Sequence, residues 1–375
     1  MKKRLLTQLT PKNSITGFEM AKIKELMKIQ VEKGASDLLL KVGTPPTMRL
    51  NGDLVNLDTA PMTDAEIESG IPEILNPLQL EEFNKHKEID ISYQNPDGNR
   101  FRINMFRQKG AAGMVLRSIP AKIPMLDELG FPPILRNIVL RPRGLIVVTG
   151  PSGCGKSTTQ AALINHRNEN DKCHIVTVED PIEFIHKNKM ALVTQREVGR
   201  DTHSFANALK FVLRQDPDVI LVGEMRDLET IALAITAAET GHVVVTTLHT
   251  SDSVSTIDRM IDVFPPHQQS QIRMQLSLNL LCVISQNLLK RSDGKGRVAA
   301  YEILIATSSV RNLIREAKTY QISSILQTSQ QQGMISLDAH LAKLVKRRVV
   351  TKEEALPKAI QANSFMKEMQ QISQS

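Results

Sequence analysis

Apolar positions along the chain change rhythm about a third of the way in. Between residues 20 and 119 the spacing switches every few residues. In MAKIKELMKIQVEKG (20–34), Ile23, Leu26, Met27 and Val31 fall at helical intervals, and Gly34 supplies a stop. SDLLLKVG and TMRLNGDLVNL read as strands, with Asn51-Gly52 as a hairpin signal. Residues 64–85 predict helix in pieces. Residues 90–119 predict three strands joined by Pro-Asp-Gly and Lys-Gly-Ala-Ala-Gly turns. The pattern gives a small α+β domain over residues 20–119, preceded by a loose polar extension at 1–19.

Residues 120–137 carry four prolines, and 120–133 are expected to be a linker or hinge. Beyond them strand and helix alternate. The strands are GLIVVTG, CHIVTVED, ALVTQ, DVILVGE and HVVVTTLHT; SFANALKFVLRQ and DLETIALAITAAETG are helices between them. Nearly continuous Val, Ile and Leu runs imply strands covered on both faces, hence a mainly parallel sheet over residues 134–300. From Ser253 onward the pattern reads as mostly helical, including the amphipathic run QQSQIRMQLSLNLLCVISQNLL (268–289), with RVAAYEILIA as the exception. Residues 301–375 form a helical C-terminal part. The fold class expected is α/β.

Composition narrows the chemistry. The chain has 375 residues and a net charge of +7, but its 40 acidic residues are interspersed with 47 basic ones, as on a solvated mixed surface. Aromatics make up 3% with no Trp, so the stacking platforms of a single-strand nucleic-acid groove are missing, and no nucleic acid is expected as a partner. Cys154, Cys173 and Cys282 have no zinc spacing and fit a reducing compartment. No run reaches the ~18 apolar residues of a membrane span. The basic start MKKRLLTQLTPKNS has too short an apolar patch for a signal peptide. A cytosolic protein, or one kept at a membrane by a partner, is expected.

VVTGPSGCGKSTT joins an apolar strand to a helix-forming run through a glycine-rich turn. Gly150, Gly155, Lys156 and Ser157 fit Gly-x-x-x-x-Gly-Lys-Ser/Thr, with Ser152 and Gly153 inside the loop. Such a loop turns backbone N–H groups onto phosphate, and the helix N-terminus adds partial positive charge. Lys156 would reach the β- and γ-phosphates of ATP, Ser157 would ligate Mg²⁺, and Thr158 could contact the α-phosphate. DVILVGEMRD ends an apolar strand at Glu224, a candidate for holding Mg²⁺ or polarising water. TVEDPIEF offers Glu179, Asp180 and Glu183 at another strand end; one could be the general base for water, and spacing does not choose among them. His242 and His249 flank a further strand, and His249 falls at the edge where parallel sheets bind ligands.

Taken together, these stretches resemble the type IV pilus retraction ATPases, the PilT/PilU branch of the secretion-type hexameric ATPases. GPSGCGKSTT, EDPIEF, LVTQREVGRDT, DPDVILVGEMRD and TAAETGH with TLHT occur in that family's order, followed by IDRMIDVFP and VRNLIREAK. The resemblance covers residues 20 to about 350. It implies a PAS-like N-terminal domain, a RecA-like ATPase domain, and a homohexamer peripheral at the inner face of the cytoplasmic membrane. It implies coupling to an inner-membrane pilus platform protein, with a paralogous retraction ATPase as a further possible partner. By position it implies Glu183 as the catalytic glutamate, Glu224 as the Walker B acid, His242 and His249 as the His box, and Arg102 and Arg117 as arginines brought to the nucleotide from the N-terminal domain. Arg107 lies in the same stretch. VRNLIREAK matches a helix that retraction needs beyond hydrolysis. The tetracysteine zinc module of the assembly branch is absent. Residues 1–19 precede the family's usual start, which makes Met20 the expected ancestral or alternative start. The alternatives are a PilU-like accessory subunit and a RecA-like nucleic-acid motor.

Overall fold

The structure, a computed structural model, describes residues 23–50, 52–119 and 122–373. The expectations for residues 1–19 and for Asn51 itself lie outside the described residues. The chain divides into two compact units, one running to Pro120 and one from Ala121 onward.

The first unit opens with α1 (Ile23–Glu32), stopped where Gly34 adopts φ +64°. β1 (Asp37–Lys41), β2 (Thr47–Leu50) and β3 (Asp53–Asn56) follow, with Leu50 opposite Asp53 across the predicted hairpin. The predicted helical pieces are α2 (Asp64–Ile74) and α3 (Pro77–His86). Each begins with a capping box, Thr63 with Glu66 and Asn76 with Gln79, which satisfies otherwise orphaned N–H groups. β4 (Glu88–Gln94), β5 (Arg100–Gln108) and β6 (Ala111–Ile119) complete an antiparallel sheet of order β3-β2-β1-β6-β5-β4. The last turn is only Lys109-Gly110; Ala111 to Gly113, expected in that turn, belong to β6. Leu38, Phe101, Ile103, Met114 and Leu116 face a core closed by Leu26, Ile67 and Phe83 from the helices. The other sheet face carries a transverse row in which Arg49, Asp37, Arg117 and Arg102 sit opposite one another on adjacent strands.

In the second unit, α4 (Ile134–Val139) leads into β7 (Gly144–Thr149), α5 (Lys156–Asn170), β8 (His174–Glu179) and β9 (Leu192–Glu197). Then come α6 (Phe205–Val212), β10 (Val219–Val222), α7 (Leu228–Glu239), β11 (Val243–Leu248), α8 (Ser253–Asp262) and α9 (Pro266–Asn279). The chain ends with β12 (Leu280–Lys290), β13 (Arg297–Ile305), α10 (Ser308–Arg315), α11 (Ile322–Thr328), α12 (Leu337–Lys346), α13 (Lys352–Ala355) and α14 (Ala362–Ser373). The sheet order is β13-β12-β7-β11-β10-β8-β9, parallel except for β13. Alternate residues of its strands feed two cores. Val147, Val176 and Ile220 meet helices α6 to α9, while Ile146, Val148 and Ile175 meet α4 and α5. Leu126 and Phe131, inside the proline-bearing stretch, are buried in that second core, and the Tyr301 hydroxyl donates to the Gly130 carbonyl.

A second expectation fails. The amphipathic run 268–289 is not one helix: it breaks after Asn279 and becomes β12. The slot between β7 and β13 decides this, because a strand there bonds on both edges and buries Cys282, Val283 and Ile284 on both faces. Tertiary pairing overrides the helical spacing.

Candidate active site

Four adjacent strands end on the same edge of the parallel sheet, and the chemistry collects there. β7 runs out at Thr149, whose hydroxyl donates to the Thr250 carbonyl at 2.7 Å and ties the start of the loop to the end of β11. Gly150, Gly153 and Gly155 all adopt positive φ (140°, 74° and 93°), so the loop curls as only glycine tolerates before α5 begins at Lys156. Ser157 and Thr158 occupy the first turn of α5, partly exposed; Ser152 and Gly153 are exposed at the loop tip.

The Lys156 ammonium lies over its own loop, donating to the Gly150 carbonyl at 2.8 Å and the Pro151 carbonyl at 3.1 Å, with His249 Nδ1 at 3.4 Å. His249 continues the chain: its Nε2 is 2.9 Å from Glu224 Oε1, and Arg226 holds Glu224 Oε2 at 2.9 Å. Burial pushes the Glu224 carboxyl up, but the hydrogen bond and charge of Arg226, together with His249, outweigh it and hold the group below its ordinary range. Glu224 is fixed because Thr247 of β11 donates to the Gly223 carbonyl at 2.7 Å and accepts the Met225 N–H at 3.1 Å through its own carbonyl. Lys156, His249 and Glu224, predicted separately, thus form one connected polar line.

The three acids of TVEDPIEF separate. Glu179, the last residue of β8, turns inward, accepting from the Thr177 hydroxyl at 2.7 Å and the Gln195 amide at 3.1 Å. Burial raises its carboxyl to about 7. Asp180 and Glu183 are exposed on the following loop. β9 clasps that loop from behind: Gln195 Nε2 donates to the Phe184 carbonyl, Gln195 Oε1 accepts the His186 N–H, and Glu197 accepts the Ile182 N–H. His242 is not brought to this edge. It sits before β11, bonded to the Ala237 carbonyl at 2.9 Å, seven residues or roughly 20 Å of strand away.

Arg102 and Arg117 lie in the first unit. Arg102 grips Asp90 through Nε and a terminal nitrogen, whereas Arg117 donates from Nε to Asp37 at 2.9 Å. Arg107 pairs with Glu68 over the Phe83 ring.

The donor set fits a nucleoside polyphosphate. It offers a positive-φ loop, a helix N-terminus, an ammonium that the phosphates would draw off its carbonyls, and an acid line behind it. Among the described residues no cluster of three or more His, Cys, Asp or Glu could hold a metal ion. A divalent ion here would rest on one hydroxyl, one carboxylate and the substrate's phosphates, which is the Mg²⁺ pattern.

Gln286 escaped the sequence reading. It is buried on β12, its side-chain amide donating to the Cys154 carbonyl at 2.8 Å and accepting from the Thr159 hydroxyl at 2.8 Å. Only the register of β12 against β7 reveals it; no local motif marks it.

Residues 90–357 match the family described as Type II/IV secretion system protein. The chain is 48% identical over 337 residues to the type IV pilus retraction ATPase PilT of Pseudomonas aeruginosa, covering 90% of this chain and 98% of the relative. It is 40% identical over 342 residues to the type IV pilus ATPase PilU of the same organism, covering 91% and 90%. The crystal structure of the pilus retraction motor PilT with bound ADP superposes with a TM-score of 0.86 at 43% identity, covering 92% and 99%. No helix among the described residues is long and apolar enough to cross a membrane.

Proposed function

The chain belongs to the Type II/IV secretion system protein family, and from that premise we propose that it is an ATP-hydrolysing motor powering type IV pilus retraction and twitching motility. The observation that carries the reading is the polar line from the phosphate loop through Lys156 and His249 to Glu224, set on one edge of the sheet.

Phosphoryl transfer to water needs positioning and charge neutralisation more than covalent chemistry. The loop N–H groups, the α5 N-terminus and Lys156 bind and orient the phosphates. Ser157 and Glu224 would hold Mg²⁺, which when bound neutralises charge on the β- and γ-oxygens. Glu183, exposed on the loop that β9 braces, takes the proton of the attacking water. Glu224, kept ionised by Arg226 and His249, orients that water. In this proposal Arg117 and Arg102 are the residues that would neutralise the remaining phosphate charge, which would couple hydrolysis to movement. The working assembly in this proposal is a homohexamer in the cytoplasm, against the inner face of the cytoplasmic membrane and coupled to the pilus platform protein.

ATP turnover by wild type beside Lys156→Ala and Glu183→Ala, on rings verified by light scattering, tests this. Turnover in wild type is expected to fall by at least about a hundredfold in both variants. The likeness to PilU supports a second reading, an accessory subunit acting with another retraction ATPase. A nucleotide-binding ring that turns over no ATP would favour it.

A further inference from the structure

β12 outlasts its neighbour. Pairing with β7 ends at Ser285 opposite Thr149, where the phosphate loop begins, yet β12 continues to Lys290. Residues 286–290 therefore run on beside the loop, bonded along their other edge to β13. The first of them is Gln286.

We infer that Gln286 is a positioning residue for nucleotide binding, the strut that fixes the curl of the phosphate loop. Four contacts converge on it. Its Nε2 donates to the Cys154 carbonyl at 2.8 Å, in the middle of the loop. Its Oε1 accepts from the Thr159 hydroxyl at 2.8 Å, on the first turn of α5. A carbonyl can only accept, so the amide has one allowed orientation, which leaves its oxygen for the hydroxyl. A Cβ at Gly150 would come within 2.2 Å of the Gln286 carbonyl oxygen, and one at Gly155 within 3.3 Å of its Nε2. Both motif glycines are thus packed on the same residue. The loop's N–H groups can face phosphate only while its carbonyls face away, and Gln286 supplies the donor that keeps the Cys154 carbonyl turned inward.

The amide is buried, so removing either partner leaves a polar group without water to replace it. One residue earlier, the Ser285 hydroxyl donates to the Ser251 carbonyl at 2.7 Å, on the loop that carries His249. β12 thereby sets the phosphate loop and the His249 loop in one register.

The inference rests on the nucleotide-binding reading above, and its test separates the two. Gln286→Met keeps the volume and loses both bonds; Thr159→Val removes the hydroxyl, and Thr159→Ser retains it. The readouts are KM and kcat for ATP, and the rise in melting temperature caused by saturating ADP. A positioning role predicts a KM increase of about tenfold or more in Gln286→Met with kcat within about threefold, and a reduced ADP-induced rise. Thr159→Val should match it, Thr159→Ser should match wild type, and the double variant should be no worse than either single one. A Gln286→Met protein with lower melting temperature but wild-type KM and ADP-induced rise would overturn the inference and leave Gln286 a packing residue. Should Gln286→Met not fold, a wild-type KM in Thr159→Val would overturn it equally. If wild type binds ADP yet hydrolyses no ATP, the motor reading fails while the ADP readout still tests Gln286.

Discussion

At the scale of single residues, spacing identifies the phosphate loop because its chemistry is local: backbone N–H groups, a lysine and a hydroxyl within eight positions. The acids of TVEDPIEF are different, since their roles depend on where β8 stops and which way each side chain turns. Glu179 turns inward and is protonated more readily than an ordinary carboxylate, with its pKa moved by burial from 4.5 to about 7. This has a sign. Between those values the folded protein binds a proton the unfolded chain does not, so Glu179 contributes stability below about 4.5 that is lost as pH rises through 7. His186 and His340, pushed by burial down to about 4 and about 3, act in the opposite sense, costing stability as pH falls below 6.5. They are common to wild type and Glu179→Gln, so a comparison isolates the carboxyl. Urea midpoints of the nucleotide-free proteins at pH 5 and pH 8 are expected to show Glu179→Gln gaining on wild type at the higher pH. Equal gaps at both pH values would mean that Glu179 is solvated and ionised throughout.

At the scale of elements, alternation of strand and helix was readable because each run of Val and Ile is long enough to be buried from end to end. β12 was not, because LLCVISQNLL follows a helix without a turn signal and its strand identity exists only between β7 and β13. Gln286 was hidden with it. The helix α10 carries part of VRNLIREAK and shows how one sequence serves two ends. Val310 and Ile314 are buried, and the Arg311 guanidinium donates to the carbonyls of Ser277, Leu278, Leu280 and Ala306, closing the C-terminal end of α9. Asn312 and Arg315 face solvent. Arg311→Lys cannot span those carbonyls and is expected to cost about 2 kcal/mol in chemical denaturation, because several helix-end acceptors lose their donor. A wild-type denaturation midpoint would show that water serves those carbonyls as well.

At the scale of the whole molecule, the change of rhythm near residue 120 is visible in sequence because an antiparallel half-covered sheet and a parallel fully covered one pattern their residues differently. Which of the proposed arginines is free to meet a phosphate is not visible there. Within the first unit Arg102 spends Nε and a terminal nitrogen on Asp90, while Arg117 is anchored through Nε to a mostly buried Asp37 and its terminal nitrogens make no hydrogen bond among the described residues. Arg117→Ala is accordingly expected to bind ADP as wild type does while losing turnover by about a hundredfold or more. Arg102→Ala should lose less. Normal turnover in Arg117→Ala, measured under saturating ATP, would remove that residue from the mechanism.

A motor works against a load, and something must carry it. The segment from Leu126 to Val139 is seated in the core under the ATPase sheet, with Phe131 against Tyr301 and the Gly130 carbonyl bonded to that tyrosine. Tension arriving along the chain at Pro124 would therefore meet a close-packed interior instead of a slack loop. To slip, it would have to drag several apolar side chains into water at once, and a short way beyond Val139 it reaches the first residue of β7, the strand that ends in the phosphate loop. Close packing at this point would limit how much of a displacement is lost before it reaches β7.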